Sequence, residues 1–224
     1  MARIKYFSTG RISGKVGDLV YFNRGNKSFV RRAAISHIDM SPNGIARREK
    51  FAMSIKLAKG IYSVPELKEL WEKNKSGKGT AFNTIQKENY HIVNGRDFID
   101  TPSIIPGIFT SNQSAITVKI AGKEIRFKLS KDEAFENSDN CNKDEVIIAG
   151  VLFLNDCNNF CNEPYRFIGV KGRLEKKRNI DYAVINLNEA ILSIMDAYDS
   201  YTIYFGLVCG DMCIGNFSRV ISRG

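Results

Sequence analysis

The spacing of apolar and polar positions changes character along the chain. Residues 11–34 carry strand formers (Ile12, Val16, Leu19, Val20, Tyr21 and Phe22), then the turn-forming tract Asn23-Arg24-Gly25-Asn26-Lys27, then Ser28-Phe29-Val30-Arg31-Arg32. That order predicts a β-hairpin. Residues 35–43 read as a loop. From about Asn43 or Gly44 the period becomes helical, with Ile45, Phe51, Ala52, Ile55, Leu57 and Ala58 as the apolar stripe and Gly60 as the expected C-cap. A second helix is predicted from Pro65 to Lys75, burying Leu67, Leu70 and Trp71. Thr80 is placed to cap a third, running to about His91 with Ala81, Phe82, Ile85 and Tyr90 inward. Residues 92–113 hold Gly95, Pro102, Pro106 and Gly107 and have the composition of a linker.

After this stretch the period is two. Residues 115–120 and 124–129 alternate around Ala121-Gly122-Lys123, a hairpin pattern. Residues 146–154 form a nearly continuous apolar run, as expected of a strand buried on both faces. Residues 165–170, 183–187, 201–208 and 213–220 complete about seven strands, and residues 189–195 fit a short helical connection. The fold class read from this is α+β: an N-terminal β-hairpin plus helices, followed by an antiparallel immunoglobulin-like β-sandwich. The expected domains are a basic hairpin-and-helix module at 1–95, a linker at 96–113 and a β-sandwich at 114–224.

Charge sharpens the division. The 224 residues carry a net +9. Residues 1–60 hold 13 basic and 3 acidic side chains, a net +10, so the remaining 164 residues sum to −1. A basic N-terminal module calls for an acidic partner: nucleic acid, an acidic protein surface or a neighbouring subunit. Residues 131–145, with two lysines against six carboxylates, offer an acidic counter-surface of −4 within the same chain. The residues placed to make such contacts are Arg11, Lys15, Arg24, Lys27, Phe29, Arg31, Arg32, Arg47 and Arg48. Cations would meet phosphates or carboxylates, and an exposed aromatic could stack on bases.

Catalytic chemistry finds little support. There are two histidines, His37 and His91, and no G-x-S-x-G, H-E-x-x-H or phosphate-loop spacing. The acidic stretch lacks a calcium-loop pattern. No catalytic, cofactor-binding or metal-ligating residue is assigned and no cofactor is expected. The five cysteines, Cys141, Cys157, Cys161, Cys209 and Cys213, include two pairs with three-residue gaps, open to free thiols, disulfides or zinc. No apolar run approaches the ~20 residues of a membrane span. The N-terminus lacks the apolar core of a secretory signal, so synthesis in the cytoplasm is expected.

The run Gly10-Arg11-Ile12-Ser13-Gly14-Lys15-Val16-Gly17-Asp18-Leu19-Val20 resembles the G-x-x-S-G-K-V-G-x-x-V opening of an uncharacterised protein family found largely in Bacteroidota. In that family a short basic strand follows, like Ser28–Arg32, and then a helix rich in Arg and Phe, like Ile45-Ala46-Arg47-Arg48-Glu49-Lys50-Phe51. The C-terminal hairpin is similar as well. Ser41-Pro42-Asn43-Gly44 departs from the family's N-P-R-T-like segment, and the cysteines have no counterpart. The family has no established activity, so the resemblance assigns no catalytic residue. Similar N-terminal sequences among phage-encoded proteins imply a virion or other assembled particle. The combined expectation is a non-enzymatic structural protein that forms a homo-oligomer or joins a larger particle, with nucleic-acid binding through the basic module as the alternative.

Overall fold

The computed structural model describes residues 2–4, 13–33, 39–75, 79–107, 111–113, 118–128, 146–157, 163–177, 180–210 and 212–222. The chain divides into two compact units, residues 1–44 and 45–224. The first is a four-stranded antiparallel sheet in the order β1 (Ala2–Ile4), β4 (Lys27–Arg32), β3 (Leu19–Arg24), β2 (Gly14–Val16). The expected hairpin is β3–β4, and its turn narrows to Gly25-Asn26. The β2–β3 turn is Gly17-Asp18. Gly17 and Gly25 stand at φ 57° and 59°, a conformation that a side chain would strain.

Helix α1 (Pro42–Tyr62) starts one residue after Ser41, whose Oγ accepts from the Gly44 N–H at 3.1 Å, and Pro42 fills the first helical position. Its buried face is Met53, Leu57, Ala58 and Ile61. The expected stripe was rotated from this one: Leu57 and Ala58 are in it, but Ile45 and Phe51 remain 39% and 49% exposed. Gly60 is not a cap either. It lies inside the helix, where a Cβ would approach Phe167 Cβ at 3.0 Å and Val151 Cγ1 at 3.1 Å, so its missing side chain brings the helix down onto the large sheet. Helices α2 (Pro65–Asn74) and α3 (Ala81–Tyr90) match expectation, and the Thr80 hydroxyl accepts from the Asn83 N–H at 3.3 Å.

Residues 92–107 are not a linker. Val93–Asn94 (β5) and Asp97–Phe98 (β6) form a small hairpin, and Ile104 and Ile105 are fully buried. The Trp71 indole N–H donates to the Ile104 carbonyl at 2.8 Å, and Asn89 bonds both the N–H and the C=O of Ser103. Phe98 lies 5.5 to 6.0 Å from the rings of Phe153, Phe167 and Tyr204. The helices and this segment share one apolar cluster with the outer face of the sheet. The chain therefore divides near residue 44 rather than at a 96–113 linker.

The large sheet comprises β7 (Ser111–Gln113), β8 (Val118–Ala121), β9 (Glu124–Lys128), β10 (Val146–Cys157), β11 (Arg166–Lys177), β12 (Ile180–Asn186), β13 (Tyr198–Cys209) and β14 (Met212–Ser222). Helix α4 (Glu189–Met195) joins β12 to β13 and is capped by Asn188, which accepts from the Ile191 N–H at 2.8 Å. Pairings run β13-β10-β11-β12-β9-β8-β14, and β13 also pairs with β14, so the sheet curls until its ends meet. All contacts are antiparallel except those of β14 with β7 and β8. The architecture is α+β in the expected order of hairpin, helices and antiparallel β region. Opposed halves of one curled sheet enclose the core, with the Phe127 and Phe217 rings 5.0 and 5.4 Å from that of Phe205.

Strand β10 explains its own sequence. Ile148, Leu152 and Leu154 point into the curled interior, while Ala149, Val151 and Phe153 meet the helices. A strand covered on both faces needs no polar alternation. Among the described residues no helix is long and apolar enough to cross a membrane.

Candidate functional site

The N-terminal sheet gathers most of the residues singled out by charge. Directly opposed residues in an antiparallel pair share a face. The pairs Arg24↔Lys27, Phe22↔Phe29, Val20↔Arg31 and Lys15↔Val20 therefore put Lys15, Val20, Phe22, Arg24, Lys27, Phe29 and Arg31 together. The Phe22 and Phe29 rings stack at 5.5 Å with planes 19° apart, both half-buried. Lys15, Arg24, Lys27 and Arg31 are exposed around them, and none makes an ion pair with a described residue. Arg24 and Lys27 occupy the hairpin tip, while Lys15 and Arg31 lie on the other side of the ring pair.

The opposite face has another character. The pairs Val16↔Leu19, Leu19↔Arg32 and Tyr21↔Val30 define it. Val16 is 63% exposed and Leu19 41%, an apolar pair facing solvent, with Arg32 beside it. Strand alternation sends Arg31 and Arg32 to opposite faces, and the register places Arg31 with the Phe22–Phe29 pair and Arg32 beside Leu19. Apart from Gly44, none of residues 13–33 and 39–44 is buried.

The other charged residues are elsewhere. Arg47 and Arg48 are exposed on α1, in the part of that helix belonging to the second unit, and both have interaction partners. Arg11, His37 and the acidic stretch 131–145 lie outside the described residues.

The second unit has a polar cavity of about 430 Å³ lined by Arg96, Asp97, Asn155, Asp156, Pro164 and Asp199 together with Cys157. Asp156 adopts a left-handed conformation at φ 55°. Burial, with Asp97 nearby, pushes the Tyr204 hydroxyl far above the usual phenol range. No group of three metal-ligating side chains converges among the described residues.

Cys157 and Cys209 are both disulfide-bonded. They cannot be bonded to each other: Cys157 pairs with Tyr198 and Cys209 with Val146, at opposite ends of the β10–β13 ladder. Eleven strand residues of ~3.3 Å rise put them roughly 35 Å apart, whereas a disulfide requires Cα atoms within about 7 Å. The sequence left free thiols, disulfides and zinc open, with free thiols favoured; these two cysteines are instead disulfide-bonded. The chain matches no protein-family model and no curated protein.

Proposed function

We propose that this chain is a non-enzymatic structural protein that assembles with copies of itself, as a component of a virion-type particle. The observation that carries this reading is the construction of the N-terminal unit. Strands β2, β3 and β4 bury none of their side chains, and they present Val16 and Leu19 side by side to solvent. A small sheet whose side chains in β2, β3 and β4 are half-buried at most gains little from burial and is marginal in water. Docking that apolar face onto another copy supplies the missing cover, with Arg32 at its rim to find a carboxylate. The β-rich second unit is the body, compatible with a β-sandwich and of the kind that the resemblance to phage-associated proteins suggests. Its disulfides call for oxidising surroundings after synthesis, such as those of a particle outside the cell.

Sedimentation velocity of the full chain tests the reading. The wild type is expected to sediment as an assembly and the Val16→Ser, Leu19→Ser variant as a folded monomer. A wild type that stays monomeric, or a variant that assembles equally well, refutes it.

A further inference from the structure

We infer that the basic face of the N-terminal sheet binds single-stranded nucleic acid, with bases stacking on Phe22 and Phe29 and phosphates held by Lys15, Arg24, Lys27 and Arg31. The face is the one turned away from Val16 and Leu19, so the inference is independent of the assembly reading.

Three features favour this ligand. The stacked rings are only partly buried in the middle of the face, which leaves a base apolar ring surface to cover. The four cations lie on both sides of the rings rather than on one, so a strand crossing the aromatic pair meets positive charge before and after it. Same-face positions along a strand recur every ~7 Å, and the rows from Arg24/Lys27 to Val20/Arg31 thus span roughly 14 Å, enough for a few nucleotides. Finally, none of the four cations is neutralised by a described carboxylate. A duplex hides the faces of its bases and could use only the cations. An acidic protein segment would likewise leave the stacked rings without a planar partner.

Fluorescence anisotropy with the full-length protein and a labelled oligothymidylate of about twelve nucleotides is the test. Binding is expected in low salt. With four phosphate contacts, log K should fall against log salt with a slope of about −3. Lys27→Gln with Arg31→Gln is expected to halve that slope. Phe22→Leu with Phe29→Leu keeps the apolar volume but removes the aromatic faces. That variant is expected to bind roughly tenfold or more weakly with the slope unchanged. Sedimentation of the same variants reports assembly separately, and circular dichroism confirms that each is folded. The inference is overturned by no binding up to roughly 100 µM at about 50 mM salt. It is also overturned if a duplex or heparin binds as tightly as the single strand while the leucine variant is unaffected, which would make the face a general polyanion surface.

Discussion

Replacing Gly169 with alanine tests the closest contact between helix and sheet in the second unit. Gly169 lies in β11 beneath the end of α1. A Cβ there would fall 2.7 Å from Val64 Cγ2 and 3.0 Å from the Gly60 carbonyl oxygen, and would also collide with the Ser63 hydroxyl. Ser63 cannot simply swing away at no cost, because its Oγ donates to the Gly60 carbonyl at 2.7 Å. Gly60 faces the sheet in turn, against Phe167 and Val151, so the backbone of α1 sits low over β10 and β11. The added methyl must push the helix out. Overpacking of this kind costs about 1–3 kcal/mol, while the reduced freedom of the unfolded chain returns about 0.4–1 kcal/mol. A net loss of about 1–2 kcal/mol lowers the melting temperature of a unit of this size by roughly 2–8 °C. Thermal unfolding followed by circular dichroism reads the shift. Gly79→Ala serves as the control, since a Cβ there meets nothing within 4 Å, and its melting temperature should move by about 2 °C or less. An unchanged or raised melting temperature for Gly169→Ala would show that the helix does not bear on the sheet at this point.

Two further outcomes are expected. Glu66 on α2 pairs with Lys171 on β11. Partial burial raises the Glu66 pKa, but the Lys171 hydrogen bond and charge, with a backbone hydrogen bond, outweigh it and hold the carboxyl below its ordinary value. A depressed pKa gives stability that is complete above the unfolded carboxyl's pKa and lost as pH falls through the folded one. The advantage of wild type over Glu66→Gln, about 0.2–1 kcal/mol for a pair this exposed, should therefore shrink between about pH 5 and about pH 3 in urea titrations; an advantage that grows on acidification contradicts the pairing. Thiol titration in denaturant without reductant should find one free cysteine of the five, because Cys157 and Cys209 belong to separate disulfides that together consume four; three or more reactive thiols would refute this.

Much of the fold was legible because local chemistry and tertiary packing agreed. Thr80 caps the helix that follows it, and the nearly continuous apolar run of β10 announced burial on both faces. The sequence misled where packing overrode pattern. Gly60 looks like a stop signal, yet it is a helix-interior contact whose reason is a strand more than ninety residues away. Residues 92–107 have linker composition because their prolines and glycines shape turns, while Phe98, Ile104 and Ile105 tie them to the core. At the candidate site, composition identified the basic residues but could not assign them to faces. Alternation along the strand separates Arg31 from Arg32, but only the pairing of β3 with β4 shows that Arg31 joins Val20 and Phe22 while Arg32 joins Leu19. The exposed Val16–Leu19 pair was equally hidden, since two apolar residues across a tight turn read as ordinary strand.

The order of synthesis meets the curled sheet at an awkward point. Strand β14 closes it, pairing with β13 just before it and with β7 and β8, which lie roughly a hundred residues earlier. Until β14 leaves the ribosome, β8 and β13 are open edges whose backbone groups can pair with any passing strand. The β8 edge thus stays open while about ninety further residues are made, the β13 edge joins it only briefly, and β14, made directly after β13, removes both. In a protein proposed to pack against copies of itself, neighbouring chains on one messenger would be the nearest wrong partners. Chaperone demand should consequently fall at the moment β14 docks, rather than as the helices form.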